Sequence, residues 1–189
     1  MEAVPTYVSL LRGINVSGRN RIPMADLRAL YEAHGHHDVS TYVQSGNVVS
    51  STSTRSAAAV ALAIERAIAD DLGLDVAVLV RTPADLARVL AGSPFVSRSA
   101  DTTKLHVTFL AGSATPATVD ALDGDAFLPD RFAVQGHEVY VSCPGGYGRT
   151  KINNAWFERK LGVVATTRNW KTVTQLAELA RDYASARRA

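Results

Sequence analysis

Cysteine is almost missing from this chain. Cys143 stands alone among 189 residues, so no internal disulfide can frame the fold, and a lone thiol fits a reducing compartment. Long apolar runs are missing too. No stretch approaches the ~18 residues of a membrane helix. The longest candidate, Ala57 to Ile64, runs straight into Glu65-Arg66. The N-terminal residues lack a basic-then-apolar leader, so the expectation is a cytoplasmic protein without membrane contact. Low-complexity linkers are also absent: the Ser/Thr-rich 50–56 reads as a strand-to-helix turn and 111–118 as a small-residue loop.

What is present is an ordinary globular composition, 47% hydrophobic and 20% charged, with enough length for one domain or two small halves. The net charge of +2 conceals an asymmetry. Residues 143–189 hold nine Lys/Arg against three Asp/Glu, whereas residues 55–142 hold seven against eleven. An anionic partner would therefore prefer the C-terminal quarter or the Arg-rich first loop.

Periodicity and turn residues predict a strand at 6–12, a helix at 23–34, strands at 39–44 and 47–52, a helix at 55–72 and a strand at 75–81. Gly35 and Gly73 mark helix ends, and Ser45-Gly46 reads as a two-residue hairpin turn. The order β-α-β-β-α-β is that of a ferredoxin-like unit. A connecting helix follows at 83–91. The second half repeats the order, with strands at 104–111, 131–136, 138–143 and 163–169, helices near 116–123 and 152–161, and a final helix at 172–186. The expected architecture is thus α+β: two ferredoxin-like βαββαβ halves with mainly antiparallel sheets, formed by internal duplication, each followed by an extra helix. The halves divide as 1–91 and 92–189.

In such a unit the third strand runs back between the second and the first. The loop leaving strand one and the hairpin joining strands two and three therefore share one end of the sheet. In the first half these are Arg12–Arg21 and Gln44-Ser45-Gly46-Asn47. In the second half, strands three and four finish together, which brings Gly145–Lys151 close to Thr167-Arg168-Asn169-Trp170. The candidate ligand-binding residues are Arg12, Asn15, Asn20, Gln44 and Asn47 in the first half, and Arg149, Lys151, Arg168 and Asn169 in the second. Guanidinium groups supply charge and amides supply directional hydrogen bonds. The spacing from Gly13 to Gly18 is that of a phosphate-binding P-loop. However, Arg19-Asn20 stands where Lys-Ser/Thr is required, so a Walker-type NTPase is excluded.

The usual catalytic and metal-binding groups argue poorly. His34, His36 and His37 surround Gly35 at a helix end, where imidazole suits the dipole, and no metal or cofactor is expected. The four converging loops contain no Asp, Glu or His, which removes the common equipment of acid-base and metal hydrolysis. Of Asn153 and Asn154, one should cap the helix that begins there. Trp156 and Phe157 read as core.

Leu11-Arg12-Gly13-Ile14-Asn15-Val16 with Gly18, Ile22-Pro23-Met24 and Leu27 resembles the opening of the bacterial domain-of-unknown-function 1697 family. Thr41-Tyr42-Val43-Gln44-Ser45-Gly46-Asn47-Val48 is similar to the same family. So are Lys151, Asn154, Glu158-Arg159-Lys160-Leu161-Gly162, Thr167-Arg168-Asn169-Trp170 and Thr172-Val173. The resemblance implies two ferredoxin-like halves and a small cytoplasmic protein; it carries over no activity, substrate or catalytic residue. The chain departs from the family pattern at Ser17, at Ser50 and at His36-His37.

Three functions compete. One is a binding protein for a phosphorylated or anionic ligand, a nucleotide-like metabolite or nucleic acid. Nucleic acid is disfavoured by the mild net charge and by the lack of an aromatic RNA-recognition signature. Another is an enzyme that stabilises a developing anion, with Ser45, Thr150 or Cys143 as nucleophile in acyl or phosphoryl chemistry. The third is a structural or partner-docking domain. Oligomeric state is open.

Overall fold

A computed structural model describes residues 4–16 and 18–186. Chain contacts divide it into two compact units, Met1–Arg88 with Gln175–Ala189, and Val89–Thr174.

In the first unit, β1 (Thr6–Leu11), α1 (Met24–Ala33), β2 (His37–Tyr42), β3 (Asn47–Ser51), α2 (Ala57–Leu72) and β4 (Val78–Arg81) follow one another, and α3 (Pro83–Gly92) begins here. The strands form an antiparallel sheet in the order β2-β3-β1-β4. This is the ferredoxin-like arrangement expected. α2 shows how local sequence builds an element. The Ser56 hydroxyl accepts the Ala59 amide at 3.3 Å and caps the start, while Gly73 ends the helix at φ +65°. Between the caps, Val60, Ile64, Ala67 and Ile68 recur at helical spacing and are the buried face. They pack with Tyr7, Leu11, Val48, Val78 and Val80 of the sheet and with Leu27 and Tyr31 of α1.

The second unit contains the C-terminal end of α3, then β5 (Leu105–Leu110), α4 (Pro116–Asp120), β6 (Arg131–Gln135), β7 (Glu138–Ser142), α5 (Asn154–Leu161) and β8 (Ala165–Asn169). Its sheet has the order β6-β7-β5-β8, again antiparallel. Phe127, Phe132, Trp156 and Phe157 form an aromatic cluster with ring centroids 5.0–5.7 Å apart. They pack with Leu110, Val139, Val141, Cys143 and Leu161. Trp156 and Phe157 are core, as expected. The last helix, α6 (Trp170–Ala186), starts two residues earlier than its periodicity suggests and contributes its residues from Gln175 to the first unit.

Specific bonds recur at equivalent places in the two units. The Leu11 amide donates to the Gly46 carbonyl at 2.8 Å, and the Leu110 amide to the His137 carbonyl at 2.8 Å. Glu65 on α2 accepts the amide of Val78, the first residue of β4, at 2.8 Å. Glu158 on α5 accepts the amide of Ala165, the first residue of β8, at 2.9 Å. Among the described residues, no helix is long and apolar enough to cross a membrane.

One turn differs from expectation. Tyr42 pairs with Asn47, so the β2–β3 connection is the four residues Val43–Gly46 rather than a two-residue turn. Asn47 is the cause: its buried amide donates to the Tyr42 carbonyl at 3.0 Å and to the Ser45 hydroxyl at 2.9 Å, bridging the turn from inside.

Candidate functional site

The first-unit loop lies against the hairpin, as the topology requires. Its ends are held by apolar residues: Ile14 and Ile22 are 1% and 2% exposed, which anchors both ends of the loop in the core. Asn15 completes the strap at φ +54°. Its amide donates at 2.9 Å to the carbonyls of Ile22 and Gln44, and its carbonyl oxygen accepts the Ile22 amide at 2.9 Å. Both donors and one acceptor direction are therefore used inside the protein. The Asn20 amide lies 3.5 Å from the Gly13 carbonyl. Arg12, Arg19, Arg21 and Gln44 are exposed. The loop thus separates into an inward-facing frame, Asn15 and Asn47, and an exposed basic rim.

In the second unit, the loop after β7 does meet β8. Tyr147 reaches over the sheet, its ring stacked on His106 at 4.5 Å, and its hydroxyl donates to Thr167 Oγ1 at 3.0 Å while accepting the Asn154 amide at 3.0 Å. Burial pushes the Tyr147 phenol up and the His106 imidazole down from their ordinary values. Asn153 caps α5, accepting the Trp156 amide at 3.1 Å.

Arg168 and Asn169 are placed elsewhere. Successive strand residues face opposite sides. Thr167 faces Tyr147, so Arg168 points to the other face. There it is buried and donates to Thr166 Oγ1 at 2.8 Å and the Thr167 carbonyl at 2.9 Å. Desolvation lowers its pKa to about 10, which still leaves it charged at neutral pH. Asn169 precedes α6 and accepts the Thr172 amide at 2.8 Å, the bond of an N-cap.

Arg149 and Lys151 remain together. Both are exposed and line a concavity of about 240 Å³ with Ala126, Phe127, Leu128, Pro129 and Asp130. Asp130 enters the site from outside the loops singled out by sequence, which themselves hold no carboxylate, and so places one beside them. Its Oδ2 accepts the Thr150 hydroxyl at 2.6 Å. Among the described residues, neither Arg149 nor Lys151 forms an ion pair. Antiparallel pairing could have located Asp130: Arg131 sits opposite Ser142, so the chain before β6 must lie beside the chain after β7. Phe127 carries no such signal. Two wider concavities, of about 670 and 550 Å³, hold Glu32 and Asp38, or Lys104 and Arg131 with Asp101; neither contains a sequence-selected residue.

The three candidate nucleophiles are occupied or shielded. Ser45 accepts from Asn47, and Thr150 donates to Asp130 while accepting the Ile152 amide at 3.2 Å. Cys143 is fully buried, and burial raises its pKa, so the thiolate is scarce. Among the described residues, no three His, Cys, Asp or Glu side chains group as metal ligands. His36 is buried against Ser50 at 2.9 Å, while His34 pairs with Asp71 at 2.9 Å.

The family described as "Protein of unknown function (DUF1697)" matches residues 4–140. The chain belongs to this family. The matched range includes the first loop and its hairpin, and it ends before Arg149 and Lys151. A solved structure of a conserved bacterial protein from Streptococcus pneumoniae is similar at a TM-score of 0.73 and 23% identity, covering 95% of this chain and 99% of that one. At that identity the likeness concerns the fold. No curated protein matches the chain.

Proposed function

We propose that this DUF1697 protein binds a phosphorylated or otherwise anionic small molecule at the concavity formed by Arg149, Lys151 and residues 126–130. One observation carries the reading: two cationic side chains share one cavity, and neither is neutralised by an ion pair among the described residues. Cations with no ion-pair partner among the described residues favour an anion in a way that paired ones do not. The cavity is smaller than the ~300–1,000 Å³ of sites for drug-sized ligands, which favours a metabolite over nucleic acid.

The first loop supports a different role. Asn15 and Asn47 spend their amides on the chain itself, which favours a structural function for that frame and leaves Arg12, Asn20 and Gln44 as rim residues. The bonds that recur between the units support internal duplication, with binding specialised in the second half.

Calorimetric or thermal-shift titration with inorganic phosphate and short phosphate esters tests the binding. Binding by the wild type should weaken with salt and fall by at least about tenfold in Arg149→Ala/Lys151→Ala. Asn15→Ala should melt at a lower temperature yet bind as before. Equal affinity in wild type and the double variant would refute the assignment.

A further inference from the structure

The same cavity contains a feature that an anion alone does not require. Asp130 lines it beside Arg149 and Lys151, yet among the described residues the carboxylate is in no ion pair with either. One of its oxygens, Oδ2, accepts the Thr150 hydroxyl at 2.6 Å. Thr150 is itself held, since its hydroxyl also accepts the Ile152 amide at 3.2 Å. The carboxylate is thus oriented by this bond, and Oδ1 keeps its acceptor capacity. A carboxylate repels phosphate, so a site for a bare anion would be better without it. A carboxylate within reach of a hydroxyl is a strong acceptor, and charge-assisted bonds of this kind are roughly twice as strong as neutral ones. The concavity is small, about 240 Å³. That suits a short chain, with the apolar row Ala126–Pro129 to cover its carbons.

We infer that the ligand is a short hydroxylated phosphate ester, its phosphate held by Arg149 and Lys151 and a hydroxyl donating to Asp130. This rests on the binding site proposed above and specifies its ligand class. Simple phosphate leaves the carboxylate opposed by like charge.

Methyl phosphate and glycerol 3-phosphate, titrated into the wild type, separate the two levels of the argument. Glycerol 3-phosphate should bind about tenfold more tightly. In Asp130→Ala, which can neither accept from nor donate to a hydroxyl, that preference should vanish, and methyl phosphate should bind more tightly than it does to wild type because a repelling charge is gone. Equal wild-type affinity for both esters overturns the hydroxyl assignment but leaves the anion site standing, and needs no variant to read. A preference that survives in Asp130→Ala overturns it too. Absence of binding by either ester overturns both.

Discussion

Gly46 and Gly13 are both in the left-handed region, at φ +72° and +65°, yet substitution should affect them unequally. A Cβ on Gly46 would meet Ile14 Cδ1 at 2.7 Å and Leu11 Cβ at 2.8 Å, whereas a Cβ on Gly13 meets nothing within 4 Å. Gly13→Ala should therefore carry only backbone strain, about 1 kcal/mol. Gly46→Ala adds overpacking of the loop-to-hairpin contact, and the total should reach about 3 kcal/mol. Urea denaturation of both variants checks the difference, and equal destabilisation would contradict the packing account. Single residues also show the limits of reading chemistry from residue type. Asn15, Asn47, Arg168 and Asn169 look alike in sequence as polar ligand contacts. The fold uses them for a strap, a turn bridge, a buried strand contact and a helix cap.

Among the elements, α6 begins at a strand end without a loop between. Its first turn depends on Asn169, which accepts the Thr172 amide. Asn169→Ala should lower stability by about 1 kcal/mol and leave affinity for phosphate esters unchanged. A variant that keeps its melting temperature but loses binding would return Asn169 to the ligand. The β strands and helices themselves were legible, because alternation and 3.6-residue spacing are local properties of the chain. Ends were less so: β2 (His37–Tyr42) starts two residues before its expected position, through a bulge in which Asp38 takes φ +51°.

For the molecule as a whole, His36 links acidity to stability. It is 4% exposed, between Tyr31 and Ser50. Burial, reinforced by His37 and His34, lowers its pKa from 6.5 to about 4. Between those values the unfolded chain binds the proton and the folded chain does not. Stability should therefore be complete above pH 6.5 and fall as pH drops toward 4, by up to about 3 kcal/mol. Melting temperatures across that range and an NMR titration of the imidazole check this. An imidazole that titrates near 6.5 in the folded protein would remove the effect.

The sequence by itself determined the α+β class, the strand orders, the core positions of Trp156 and Phe157, and the meeting of each pair of loops. Hydrophobic period and antiparallel pairing are enough for these. Only the tertiary structure decided which polar residues are still available. That outcome depends on where each amide and guanidinium finds a partner, and partners such as Gln44 for Asn15 or Asp130 for Thr150 lie 20 or more positions away. Strand parity then turned Arg168 from Tyr147, and the pairing of β6 with β7 carried Asp130 to Arg149 and Lys151.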